Sequence, residues 1–242
     1  MSMMRGAGRC GSRSRLVRYR NLAYVGLILF VTGYLGPWVG HKTAALTVTG
    51  LELAEFAKFF PQVQGGTVPI ARQLFYFPLV ASSILVVLLV GRALSRATGA
   101  TFGRLARAFL CTWCTWVVPF LCAALLLMAL LPYAVVQAFL SRPSVSSILE
   151  SRYAGQLTLV AVGIASTLLA PLAHRCSERL RFILVGLLAL AGAVPALWQL
   201  ALLCPLVVAL YGAPFQPGWG MIVCAVGAVL LFLSGLSALV RK

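Results

Sequence analysis

Residues 218–240 read GWGMIVCAVGAVLLFLSGLSALV, and no charged side chain interrupts them. An α-helix needs about 20 consecutive apolar residues to cross the hydrocarbon core of a bilayer. A helix also satisfies its own backbone polar groups, which lipid cannot do. This stretch therefore predicts a transmembrane helix.

Further apolar runs precede this one, and together they predict an all-α fold, a polytopic transmembrane helical bundle of about six spans. The predicted spans cover about 22–39, 74–90, 108–140, 156–172, 182–211 and 218–240. The chain is 61% hydrophobic and only 10% charged, whereas a soluble domain is roughly 25% charged. The third and fifth runs are too long for one simple crossing and each contains two prolines, which predicts kinked or tilted helices.

The distribution of basic residues predicts the orientation of these spans. If the N-terminus is cytoplasmic, 15 of the 20 Lys and Arg residues lie in inner segments. The five in outer segments are Lys42, Lys58, Arg72, Arg142 and Arg152. This positive-inside bias predicts a protein of the plasma (inner) membrane with both termini cytoplasmic. The residues expected to form an aromatic belt at the outer interface are Trp38, Tyr76, Tyr133, Tyr211 and Trp219.

The same basic residues predict the domain organisation. Residues 1–20 contain six arginines among small and polar residues, so we expect a basic cytoplasmic N-terminal arm that is mostly disordered or lies on anionic head groups. Residues 21–242 then form a single six-helix transmembrane domain. A net charge of +16 would suggest nucleic acid in a soluble protein. Here the basic residues separate apolar runs, so the predicted partner is the lipid bilayer and not nucleic acid.

The outer segment between the first two spans is the most informative loop. Residues 49–60 read TGLELAEFAKFF, in which Glu52, Glu55 and Lys58 share one helical stripe. Thr49 and Glu52 have the spacing of a capping box, and Pro61 would end the helix. The pattern predicts an extracytoplasmic amphipathic helix at the membrane surface or over the mouth of the bundle.

Two interpretations of this amphipathic helix remain open. It is either a structural lid that hides its aromatic face, or a docking or gating helix whose carboxylates meet a cationic ligand or partner. Arg72, near the outer interface, is expected to pair with Glu52 or Glu55. The candidate binding residues at the outer interface are therefore Glu52, Glu55, Lys58 and Arg72.

Polar and small side chains inside the spans predict how the helices pack. Gln199 is the strongly polar residue expected near the middle of a span, where its amide needs a partner on another helix. Gly220, Cys224 and Ala228 recur every four residues, which is the pattern of a seam where two helix backbones approach closely. Other seams of this kind are Gly163 with Thr167 and Gly192 with Ala196.

The predicted spans carry no residue pattern of a known chemistry. No acidic, basic or histidine side chain lies deep in a predicted span, although ion-coupled transporters and proton pumps generally need one. Cys111 and Cys114 form a Cys-x-x-Cys pair with Cys122 on nearly the same helical face, but no further metal ligand has a usable spacing. We therefore predict no catalytic residue, no metal and no cofactor, and we interpret these cysteines as helix-packing residues.

Three functions fit these observations. The first is a non-catalytic structural or accessory subunit that contacts other membrane proteins, lipid or further copies of itself. The second is a permease-like transmembrane subunit of a transport complex that another chain energises. The third is a lipid-processing membrane enzyme with a site at the outer interface.

Overall fold

The computed structural model describes residues 7–40, 47–101, 104–131 and 154–239. Its longer helices are α1 (Ala7–Leu35), α4 (Phe77–Thr101), α5 (Arg104–Met128), α6 (Ala154–Leu169), α7 (Glu178–Tyr211) and α8 (Trp219–Leu239). Two one-turn helices, α2 (Leu53–Phe56) and α3 (Pro61–Gln64), lie between α1 and α4. The 3-10 turns are Ala57–Phe59, Arg72–Tyr76 and Ala170–Arg175, and the strands are β1 (Pro37–Gly40), β2 (Val48–Thr49) and β3 (Gln216–Pro217).

Four helical segments of the described chain are long and apolar enough to cross a membrane. They are Arg72–Gly91, Ala154–Ala173, Glu178–Tyr211 and Trp219–Leu239. Trp116–Met128 is a shorter apolar helix. The mostly helical fold is therefore confirmed, with four helices long and apolar enough to span a membrane, while the count of about six spans stays a prediction.

Helix α1 differs from the predicted first span at both ends. It begins at Ala7, inside the arm expected to be mostly disordered. Because extending an existing helix costs much less than nucleating one, the apolar helix continues into the arginine-rich residues. It ends at Leu35 and not at residue 39, because proline at position 37 disfavours a helical conformation for the residue before it.

The backbones of α1 and α8 are in direct contact. A Cβ atom on Gly33 would lie 2.2 Å from the backbone nitrogen of Cys224, and one on Gly220 would lie 2.5 Å from the carbonyl carbon of Gly36. A Cβ atom on Gly227 would lie 2.4 Å from the backbone nitrogen of Phe30. Hydrogen is therefore the only side chain that fits at these glycines. Two members of the predicted seam, Gly220 and Cys224, lie in this contact, and Ala228 is also buried.

Helix α1 runs opposite in direction to both α4 and α8. Tyr24 of α1 donates a hydrogen bond to the carbonyl of Leu89 (3.4 Å), and Tyr34 donates one to the carbonyl of Phe75 (3.0 Å), so α1 and α4 are antiparallel. The glycine contacts make α1 and α8 antiparallel in the same way. One end of the bundle, which we name the strand end, therefore carries β1–β3, α2 and the turn Arg72–Tyr76.

Helix α4 is the central helix of the described bundle. In the most apolar part of Arg72–Gly91, 78% of the residues are buried, whereas the corresponding share in Ala154–Ala173 at the periphery is 22%. Ser83 of α4 and Thr167 of α6 are both buried, and their hydroxyl oxygens lie 3.3 Å apart within hydrogen-bonding distance. A Cβ atom on Gly192 of α7 would lie 2.8 Å from the Cβ of Ala81. Two of the predicted small-residue seams thus face α4.

A small antiparallel sheet at the strand end departs from the all-α prediction. Its strand order is β2-β1-β3. The central strand contains Trp38, which is fully buried, so its predicted place in a lipid-facing belt was wrong. Its indole nitrogen donates to the carbonyl of Gly33 (3.1 Å), and its ring meets Tyr34 edge-to-face. Strand β1 packs against α1 and α8, and this side chain points inward.

The other predicted belt residues divide between core and surface. Tyr76 is buried, with only 5% of its surface exposed, and it too belongs to the core. Trp219 is 57% exposed and remains compatible with a belt. Tyr211 is partly buried, and Tyr133 lies outside the described residues.

Candidate functional site

Thr49 and Glu52 make the reciprocal bonds of the predicted capping box, but these bonds precede helix α2 and do not cap it. The Glu52 carboxylate accepts hydrogen bonds from the backbone nitrogen (3.0 Å) and the hydroxyl (2.9 Å) of Thr49. The backbone nitrogen of Glu52 in turn donates to the Thr49 hydroxyl (3.4 Å). These bonds close the turn from Thr49 to Glu52, and α2 begins at the next residue, Leu53. The Glu52 carboxylate is thus engaged by its own chain segment.

The amphipathic segment is shorter and less regular than predicted. Helix α2 spans Leu53–Phe56, a 3-10 turn follows, and Phe60 is extended with φ −85° and ψ 120°. A single helix through Phe60 was therefore a wrong prediction. The reason is Pro61, which drives Phe60 out of the helical region and starts α3 at its first position.

The two faces of this segment nevertheless separate as the sequence predicts. Leu53, Ala54, Ala57 and Phe60 are buried against the bundle, while Glu52 and Glu55 are exposed. Phe59 departs from the predicted lid, because it is 79% exposed and is not buried against the described part of the bundle.

Glu55 connects the segment to the start of α4. Its Oε1 atom accepts a hydrogen bond from the Tyr76 hydroxyl (3.2 Å), and its Oε2 atom pairs with the Lys58 ammonium. The Glu55 and Lys58 side chains are 51% and 31% exposed, so their ion pair adds little to stability. The hydrogen bond from buried Tyr76 joins helix α2 to the turn Arg72–Tyr76.

Arg72 shares a pocket with Glu55 but does not pair with it. The pocket at the strand end is a shallow depression, partly open to solvent, with a cavity volume of about 20 Å³. Its polar lining consists of Glu55, Lys58, Arg72, Gln73, Tyr76 and Gln156. The expected ion pair of Arg72 with Glu52 or Glu55 is not present among the described residues. Of the four candidate binding residues, the structure thus brings Glu55, Lys58 and Arg72 together, while Glu52 is bonded to Thr49.

Gln156 is a pocket residue that the sequence did not single out. Its side-chain nitrogen donates to the carbonyl of Leu130 at the end of the preceding helical segment. Gln156 is the first residue of the fourth predicted span. A polar residue at the boundary of an apolar run is the sequence signal that could have identified it.

Gln199 is buried and bonded, but not to a neighbouring helix as predicted. Its Oε1 atom accepts a hydrogen bond from the backbone nitrogen of Ala71 (3.0 Å), and the side chain is 4% exposed. Ala71 immediately precedes the candidate span Arg72–Gly91. Gln199 therefore lies beside the end of that span and not near its middle, because α7 is long enough to extend to the strand end.

Replacing Gln199 by methionine tests this bond. The expected result is a loss of about 1 kcal/mol in the free energy of unfolding, because the backbone N–H of Ala71 loses its hydrogen-bond acceptor. Thermal or denaturant unfolding in detergent micelles measures it. The control is Gln62→Met at an exposed position. Equal stability of the Gln199→Met variant and the wild type would contradict the structural role.

The described residues include no group of three or more His, Cys, Asp or Glu side chains arranged to hold a metal ion. The side chains of Cys111 and Cys114 are outside the described set. The chain matches no protein-family model, and no significant similarity links it to a curated protein or to a solved structure.

Proposed function

We propose that this protein is a non-catalytic structural or accessory subunit of about six spans that contacts other membrane proteins or lipid. The observation that carries the proposal is the apolar outward face of α5 and α6. Leu121, Leu125 and Met128 of α5 are each about 60% exposed, and α6 adds Leu168 at 62%. Side chains of this kind need a hydrocarbon or protein neighbour.

The proposed topology places the protein in the plasma (inner) membrane with both termini cytoplasmic. The alternating helix directions support it, because they bring the start of α1 and the end of α8 to the end opposite the strands. That end carries most of the arginines, as the positive-inside rule requires for a cytoplasmic side. The strand end then faces outward.

The engagement of both outer carboxylates supports a non-catalytic role over a lipid-processing enzyme. A general base needs a carboxylate that can reach the proton of its substrate. Glu52 is bound by Thr49, and both oxygens of Glu55 have partners. These bonds favour a structural use of the two side chains.

Purification in mild detergent tests the proposed association. We expect the wild-type protein to retain another membrane protein or a second copy in a fixed ratio, and a strictly solitary monomer would contradict the proposal. We further expect combined alanine substitution of Leu121, Leu125 and Met128 to abolish that retention, because these are among the most exposed apolar side chains. The matched control is combined alanine substitution of the exposed α8 residues Ile222, Val226 and Val229.

A further inference from the structure

The pocket at the strand end carries an excess of positive charge. Lys58 and Arg72 contribute two cations, and Glu55 contributes one carboxylate. Both oxygens of that carboxylate already have donors, Tyr76 and Lys58. The charge balance thus favours an anion over the cation that the sequence suggested as one possible ligand.

Arg72 is the group in the pocket best suited to hold such an anion. Its guanidinium makes no hydrogen bond or ion pair within the described residues, and its side chain is only partly exposed. A guanidinium presents a planar fork of N–H donors that matches a phosphate bidentately. The neighbouring amide of Gln73 adds a neutral donor to the same lining.

The position of Arg72 in the bundle identifies the source of the anion. Arg72 begins a candidate span, so it lies where hydrocarbon gives way to head groups. Trp198 and Trp219, which are 64% and 57% exposed, lie at the same end of the bundle, and exposed tryptophans favour the membrane–water interface. The pocket also borders α6, which is peripheral and therefore open to surrounding lipid.

We propose that this pocket binds the phosphate of a phospholipid head group, with Arg72 as its charged partner. Basic pockets between transmembrane helices hold lipid phosphates in this manner. The inference goes beyond the accessory role and requires only that Arg72 lie at a membrane surface, whichever side that surface faces. It would therefore survive a failure of the proposed association or of the proposed orientation.

Native mass spectrometry of the detergent-purified protein tests the proposal, with dioleoyl phosphatidylglycerol as the probe. We expect the wild type to retain one lipid most tightly and Arg72→Gln to lower that affinity about tenfold, the value of one charge-assisted contact. Arg179→Gln is the matched control, because Arg179 is exposed at the opposite end of the bundle. Unchanged lipid retention by Arg72→Gln would overturn the proposal.

Two further probes define which part of the lipid is bound. Dioleoylglycerol has the same chains without the phosphate, and its binding with equal affinity would overturn the proposal. Millimolar inorganic phosphate is expected to leave the lipid in place, whereas displacement of the lipid would assign the site to free phosphate.

If Arg72→Gln lowers the unfolding temperature of the protein, the variant Arg72→Lys is tested in its place. That variant keeps the charge but not the fork, so a smaller loss of affinity is expected, and wild-type affinity would contradict the bidentate contact.

Discussion

Replacement of Gly33 by leucine is expected to destabilise the bundle by about 3 kcal/mol or more. A Cβ atom at this position would lie 2.2 Å from the backbone nitrogen and 2.7 Å from the Cα of Cys224. Backbone atoms cannot rotate away as a side chain can, so α1 and α8 would have to separate. Association of helices within lipid depends on close packing more than on a hydrophobic driving force, and separation removes that packing along the whole contact.

The measurement for Gly33 is the free energy of unfolding in detergent or bicelles. Thr32→Leu is the matched control, since it adds a leucine at the adjacent position, which is exposed. We expect the control to unfold close to the wild type. Similar stability of Gly33→Leu and Thr32→Leu would show that α1 and α8 do not touch as described.

The second large effect is expected for Trp38→Ala, at about 3–5 kcal/mol of unfolding free energy. Trp38 is fully buried beneath Gly50, whose added Cβ would lie 2.8 Å from the indole nitrogen. Its removal leaves a cavity and deletes the bond to the Gly33 carbonyl. The large side chain therefore holds the central strand of the sheet against the end of α1.

Thermal unfolding compares Trp38→Ala with Trp198→Ala. Trp198 is 64% exposed, so its removal is expected to cost no more than a typical surface substitution, within about 0.5 kcal/mol. If both variants unfold at the same temperature, the buried position of Trp38 is wrong.

Helix positions could be predicted from the sequence wherever apolar length and local caps coincide. The fifth predicted span was expected at 182–211, and helix α7 is observed there at Glu178–Tyr211. Ser177 accepts a hydrogen bond from the backbone nitrogen of Leu180 at its start, and Gly212 adopts a left-handed conformation (φ +61°) after its end. Both residues interact with backbone groups within one helical turn, so their effect can be predicted from the local sequence.

The pairing of α1 with α8 could not be predicted with the same means. A seam of small residues indicates a close helix contact but does not identify the partner. A further signal was available, because Gly26 and Gly33 are seven residues apart, as are Gly220 and Gly227. Equal spacing on two runs is compatible with mutual packing of those two helices.

The short strands and Trp38 were beyond sequence reasoning for a physical reason. Strands of two to four residues are too short to show the alternation that marks a strand. Without them, a tryptophan next to an apolar run is read as an interfacial residue. In the structure, Trp38 belongs to a strand that pairs with two other strands, and its side chain lies in the core and not at the membrane interface.

The candidate site divides in the same way. The Thr49–Glu52 box and the Glu55–Lys58 pair join residues three positions apart, and such contacts follow from helix geometry. Tyr76 and Gln156 reach the pocket from distant parts of the chain. Their contribution depends on the packing of α4 and α6, which no local pattern encodes.

The contact between α1 and α8 has a consequence for biogenesis. The ribosome synthesises α1 before α8, so the glycine face of α1 has no helical partner while the intervening helices are inserted. A nascent chain that stops before residue 219 lacks α8 and therefore leaves the glycine face of α1 without its helical partner. The contact between α1 and α8 can therefore form only after α8 has been inserted.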